Sequence, residues 1–363
     1  MSKSILRLQD PTDPDSAYLL ETLLERAVAA RYGGAAFAWA TEAGVRLLLR
    51  DEVFERFLKK YPFELIVGAD TTTTPEALVA LQAAEHDLKG LSVRVFISQT
   101  PASLFHPKMT WFGERDGGSL VVGSGNLTSA GLRQNWEAYA LCPLNVSETA
   151  DLKSQWDTWI TTHSLRLHSL NSVEAIARVE LNRGGWGGRK RVAPVVTTVV
   201  DVQDTPILIA EIPKSGDRWK QANFDQDNYE NYFGAKVGTQ RRMLFQWLRP
   251  DGTLADVESR PSVQVISSNW RFELNAAAGL DYPSTGKPIG VFLRVAERTF
   301  LYALSMPGDG HNVQLSAFLG SRWTGSASNM KRLRFSLADV GNLSIIQQLL
   351  ATVPQAFKDE EFE

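Results

Sequence analysis

The 363-residue chain carries 38 Lys and Arg against 41 Asp and Glu, a net charge of −3, and one cysteine. That balance excludes a uniformly basic nucleic-acid coat, and a lone cysteine excludes an internal disulfide framework or a cysteine-rich zinc site. The length favours two domains, since a single hydrophobic core rarely grows past about 250–300 residues.

In chain order, TLLERAVAARY and RLLLRDEVFERFLKK read as amphipathic helices, FELIVGAD and LSVRVFIS as buried strands, and PEALVALQAAEHDL as the helix between those strands. The alternation implies an α/β domain with a mixed sheet. Three further segments, LFHPKMTWF, SLVVGSGNLTSAG and NWEAYAL, read as strands or strand ends, with a helix-like turn at TSAGLRQN. The helix TADLKSQWDTWITTH closes this part, and the glycine-rich, basic run NRGGWGGRKRVAP has linker composition. The expected division is residues 1–165, a linker over 166–205, and residues 206–363. The linker is expected to act either as a plain tether or as a cover over the active site.

Two residues apart on a strand, His106 and Lys108 point the same way. A neutral imidazole is a nucleophile and a charged one a proton donor, while Lys108 offers a fixed cation to phosphate oxygens. The glycines around Ser124 let backbone approach a ligand, and the Asn126 amide can donate to an oxyanion. Glu137, an acid in an otherwise apolar strand, needs a cationic or hydrogen-bonding partner, and protonated His106 is the expected one.

This pattern resembles the phospholipase D superfamily, whose signature is His-x-Lys, an Asp on the same strand, and then Gly-Ser-x-Asn. His106-Pro107-Lys108 and Gly123-Ser124-Gly125-Asn126 match, whereas the family's Asp position falls on Gly113. The departure fits the nuclease branch, in particular metal-independent restriction endonucleases of the BfiI type, in which a Glu on the following strand orients the His. By that resemblance His106 attacks phosphorus to give a phosphohistidine, and Lys108 and Asn126 bind the non-bridging oxygens. Glu137 holds the imidazole tautomer, and Ser124 is a further donor. Superfamily members use two such motifs and this chain has one, so the resemblance implies a homodimer through the nuclease domain with a shared active site. No metal site and no cofactor are expected. The stretch GLDYPSTGKP fails as a P-loop because Gly279 and Gly286 are too far apart and Pro288 stands where Ser or Thr belongs.

The second half reads as short strands separated by turns: TPILIAEIP, MLFQWLRP, SVQVISS, RFELNA, GVFLRVAE, TFLYALSMP and VQLSAFL. A mainly β pseudobarrel is expected, similar to the plant B-three-like DNA-binding domain of the BfiI-type enzymes. Two loops within it supply Arg218, Lys220, Gln221, Asn223, Asn269 and Arg271, residue types that read guanine and adenine in the major groove. Arg241 and Arg242 suit phosphate contacts.

The expected function is a metal-independent DNA endonuclease in restriction or phage defence, acting on double-stranded DNA. One alternative is a nuclease subunit active only with an ATP-dependent translocase, helicase or methyltransferase partner, and another is a phospholipase or other phosphodiesterase. No apolar run approaches the roughly 20 residues of a membrane span and the start lacks a secretory core, so a cytoplasmic location is expected.

Overall fold

The computed structural model describes residues 4–70, 72–98, 103–183, 207–214, 219–265 and 269–357. They fall into two units, 4–183 and 207–357. In the first, β1 (Ile5–Gln9), α1 (Leu19–Ala27), β2 (Tyr32–Phe37), α2 (Glu42–Leu49), α3 (Glu52–Leu58), β3 (Phe63–Gly68), α4 (Pro75–Asp87) and β4 (Leu91–Phe96) precede an antiparallel run. That run is β5 (Lys108–Gly113), β6 (Gly118–Gly123) and β7 (Glu137–Leu144), followed by α5 (Val146–Thr162), β8 (Leu167–Ser169) and α6 (Val173–Glu180). The strands form one eight-stranded mixed sheet in the order β1-β7-β6-β5-β2-β3-β4-β8. Strands β2, β3 and β4 are parallel to one another, as expected of strands joined by helices.

Local chemistry sets these boundaries. Thr74 caps α4 by accepting from Ala77 N at 3.3 Å, with Pro75 in the first turn. Asn145 and Glu148 form a reciprocal capping box for α5, with bonds of 2.9 and 2.8 Å. The stretch expected as one helix over RLLLRDEVFERFLKK is instead two. Asp51 stops the first and caps the second by accepting from Val53 N at 2.9 Å.

One face of the sheet is covered by α5, whose Trp156 meets Trp111 edge-on at 6.1 Å and donates to Glu64 at 3.0 Å. Strand β2 carries the sequence YGGAAF, and a Cβ at residue 34 would lie 2.8 Å from the Trp111 indole nitrogen and 3.0 Å from Trp156. The glycine is what lets the two tryptophans close over the strand. On the opposite face Tyr139 bonds to Thr22 of α1 at 2.8 Å and to Ala17 O at 2.7 Å. Beside it, buried Arg133 pairs with Glu21 at 3.1 Å, its guanidinium 4.3 Å from the Tyr18 ring centre.

The expected linker begins too early. Within 166–205, β8 pairs with β4, and α6 docks through Arg178 on Asp70 and through Asn182, which donates to Ala69 O and Thr73 O at 2.9 and 2.8 Å. Ser172 caps α6 by accepting from Ala175 N at 3.1 Å, a start signal inside a stretch whose neighbouring glycines suggested a tether. The glycine-rich run itself lies outside the described residues.

The second unit contains β9 (Ile207–Glu211), β10 (Gln221–Phe224), β11 (Arg242–Leu248), β12 (Leu254–Pro261), β13 (Gln264–Val265), β14 (Asn269–Glu273), β15 (Ile289–Ala296), β16 (Thr299–Ser305), α7 (Gly310–Arg322), β17 (Arg332–Phe335), α8 (Leu337–Val340) and α9 (Ser344–Thr352). One sheet runs β12-β11-β16-β15-β9-β17 and the other β10-β14-β13. Both contribute to one core, with Phe224, Phe245, Phe272, Phe292 and Phe300 around Phe233. The expected strand VQLSAFL is instead part of α7. Asp309 caps that helix by accepting from Asn312 N at 2.7 Å, and Leu315 and Leu319, four apart, are its buried residues with Asn312. Among the described residues no helix is long and apolar enough to cross a membrane.

Replacing Glu21 with Leu should leave the Arg133 guanidinium buried without its carboxylate, at a cost of about 3–5 kcal/mol. Urea unfolding of the full chain, followed by tryptophan fluorescence, is expected to show the first unit's transition moved to lower denaturant, with the second unit's unchanged.

Candidate active site

The antiparallel order of β5, β6 and β7 brings the start of β5, the end of β6 and the start of β7 to the same end of the sheet. Lys108 stands opposite Phe37, Gly123 opposite Tyr139, and Ser124 N donates to Ala138 O at 3.0 Å. By this register Lys108 and Glu137 share one face. His106 is anchored by its neighbour Phe105, which is buried and stacked on Phe96 at 4.4 Å and 18°.

His106 and Lys108 do lie side by side. Lys108 Nζ is 3.1 Å from both ring nitrogens and 3.3 Å from the His106 carbonyl oxygen. Equal distances this short are met only off the plane of the ring, because in that plane the ammonium would collide with ring carbon. The in-plane lone pair of the imidazole is therefore directed away from the ammonium. Partial burial, and then the Lys108 charge, hold the His106 pKa below its ordinary value of 6.5. Burial also lowers Lys108, against the pull of the Glu137 carboxylate. The pair is an imidazole biased towards neutrality beside a cation.

Asn126 sits in a loop that reaches back to the end of β2. Leu127 N donates to Trp39 O at 3.1 Å, Thr41 N donates to Leu127 O at 3.0 Å, and Ala40 bridges to Leu127. A Cβ on Gly125 would lie 2.6 Å from Leu19 and 2.8 Å from Gly131 O, so the loop packs here only with glycine. The Asn126 amide oxygen is buried without a hydrogen-bond partner, and its nitrogen has no protein acceptor among the described contacts.

Ser124 and Glu137 differ from expectation. The Ser124 hydroxyl donates to Glu137 Oε2 and accepts from Ala138 N at 3.0 Å, so its proton is committed to the carboxylate rather than offered to a ligand. Glu137 also accepts from Asn135 Nδ2 at 3.3 Å and acts electrostatically on Lys108. Among the described contacts it makes no bond to His106. Its place beyond Gly123 puts it nearer the ammonium's business than the imidazole's.

Sequence reasoning missed the supports. Gln9, almost fully buried, donates to Asn135 O at 2.8 Å and Gly131 O at 3.4 Å and accepts from Leu19 N at 2.8 Å. It holds both ends of the helical turn Ala130–Gln134. Trp39 meets His106 edge-on at 5.3 Å. Nothing in FAWA marks such a residue beyond its being aromatic.

In the second unit, Gln221 and Asn223 lie on β10 and Asn269 and Arg271 on β14, so these are strand residues rather than loop residues. The register sets Gln221 opposite Glu273 and Asn223 opposite Arg271, with Ala222, Phe224 and Phe272 turned to the core. Gln221, Asn223 and Arg271 thus share the outer face of the small sheet. Lys220 is tied to Glu273 at 2.9 Å. Arg218 lies outside the described residues, as does the Asn269 side chain. Arg242 is 1% exposed and donates to Gln240 O at 3.1 Å, which removes it as a phosphate contact.

No protein-family model matches the chain, and no curated protein matches its sequence. Among solved structures it is similar to Nuc, a phospholipase D family member from Salmonella typhimurium, at 15% identity and TM-score 0.35 over 47% of this chain and 100% of that one. It is similar to NucT from Helicobacter pylori at 11% identity and TM-score 0.33, over 46% of this chain and 98% of that one. It is also similar to the yeast tyrosyl-DNA phosphodiesterase at 16% identity and TM-score 0.29, over 39% of this chain and 32% of that one.

In a ¹³C-histidine NMR titration, the His106 resonance is expected to turn over below the ordinary imidazole range. Lys108→Met removes the neighbouring charge, so the midpoint should rise. Because the folded value is depressed, His106 costs no stability above the unfolded pKa near 6.5 and penalises the fold as pH drops from there through the folded value.

Proposed function

We propose that the chain is a metal-independent DNA endonuclease that cuts phosphodiester bonds through a phosphohistidine. The observation that carries this reading is the His106–Lys108 pair: a ring biased towards neutrality, its lone pair directed away from the ammonium, with the Asn126 amide on a neighbouring loop. A ring nitrogen of His106 attacks phosphorus, and the P–O bond to the leaving oxygen breaks as the P–N bond forms. Lys108 and Asn126 neutralise the non-bridging oxygens as charge builds there. Glu137, held by Ser124 and Asn135, fixes the ammonium electrostatically. Water then attacks the phosphohistidine, releasing the phosphate end and restoring the imidazole.

The departing oxygen needs a proton, and His106 is already committed as the nucleophile. We assign the donor to a second copy of the chain, in a twofold homodimer through the first unit. The sequence supports this reading, because it holds a single His-x-Lys and so supplies one such imidazole per copy where a nucleophile and an acid are both needed.

Target choice falls to the second unit, read as a pseudobarrel that grips double-stranded DNA. The major groove admits a β-ribbon, and Arg271, on the outer face of the small sheet, offers the paired donors that read guanine, while the side-chain oxygens of Gln221 and Asn223 are buried.

Plasmid DNA should be cut in the presence of EDTA. His106→Ala should lose at least about 10³-fold in cleavage rate while still shifting duplex DNA in a gel. Arg271→Ala should weaken duplex binding by about 1–3 kcal/mol. Cleavage that needs added magnesium, or that survives His106→Ala, would sink the mechanism.

A further inference from the structure

Trp39 belongs to none of the segments whose spacing marks the site, yet it touches three parts of it. Its ring meets the His106 ring edge-on, with centres 5.3 Å apart and planes at 75°. The Lys108 ammonium stands 5.5 Å from the centre of the same indole. Its carbonyl oxygen accepts from Leu127 N at 3.1 Å, in the loop that carries Asn126.

The residue is itself well fixed. It follows β2, whose last residue Phe37 is paired with Lys108, and the next residue, Ala40, bridges to Leu127. Strand register on one side and the bridge on the other thus set where the half-buried indole stands. A lysine side chain loses rotamer entropy on being held, so its ammonium is not positioned by its own stem. An indole attracts it through the ring quadrupole, and the same indole shields one flank of the imidazole from water.

Resting on the reading of this site as phosphodiester-cleaving, we propose that Trp39 is a positioning residue that holds the Lys108 ammonium off the plane of the His106 ring and keeps water from one flank of that ring, so that the imidazole stays neutral and nucleophilic. The groups around the imidazole are few. Lys108 from β5 is the charged side chain in contact with it among the described residues, and Trp39, from the segment after β2, is uncharged. Glu137 from β7 is bound to Ser124 and Asn135 and acts on Lys108. The depressed pKa of His106, whose larger cause is burial, has the sign that shielding requires.

The full-length chain and its Trp39→Leu and Trp39→Phe variants should be compared by ¹³C-histidine NMR titration of His106 and by the pH profile of kcat/KM on bis(p-nitrophenyl) phosphate. Leu fills space without a quadrupole or a broad shield. In Trp39→Leu the His106 midpoint is expected to move up, the acid limb of the profile to move with it, and kcat/KM below neutrality to fall about tenfold. Trp39→Phe should move both in the same direction by less, and it decides the matter if the Leu variant does not fold. Activity lost with the His106 midpoint unmoved would mean that Trp39 is only packing, and would overturn the proposal, as would variants that match the wild type in both readouts. If the wild type cleaves no phosphodiester while the His106 midpoint still shifts, the functional reading fails and the effect of Trp39 on the imidazole stands.

Discussion

The candidate site depends on strand register. Lys108 is held opposite Phe37 of β2, and Gly123 opposite Tyr139 of β7, so three successive antiparallel strands end or begin at one rim of the sheet. A slip of one residue in either pairing would turn Lys108 or Glu137 to the other face, because side chains alternate with a period of two. What fixes the register is buried: Tyr139 bonded to Thr22 and Ala17 O, and Trp111 wedged under Trp156 across Gly34. The chemistry at the rim is inherited from packing in the interior.

The charges at that rim are arranged in a chain rather than a triad. Ser124 and Asn135 hold Glu137, Glu137 acts on Lys108, and Lys108 lies against His106. A carboxylate bonded directly to the imidazole would favour the imidazolium, whereas one acting on the adjacent ammonium leaves the ring under the influence of a cation. The two arrangements poise histidine differently, the first as an acid and the second as a nucleophile.

Much of this was legible in the sequence, and the gaps have physical causes. The helix and strand alternation of the first unit follows from periodicity, and the side-by-side placing of His106 and Lys108 from their spacing of two residues. Strand β2 was not legible, because YGGAAF is poor in residues that favour strands, and its glycines answer to a partner more than a hundred residues away, Trp156. VQLSAFL carries an alternation that suits a strand, and only the Asp309 cap and the Leu315–Leu319 spacing decide for a helix. Ser124 looked like a donor because residue type does not reveal where a hydroxyl proton goes. Asn223 and Arg271 stood out by residue type alone, and their cross-strand pairing needed the register.

The strand nearest the beginning pairs with the seventh, and Gln9 reaches Asn135 across 126 positions of chain. Contacts between such distant segments are the slow ones to form, since the intervening polypeptide must first be gathered. The loop that carries Asn126 is therefore fastened by the very contact that closes the sheet. A partly folded first unit in which β1 has not docked lacks that fastening, so the loop that carries Asn126 is placed only when the two distant ends of the sheet have met.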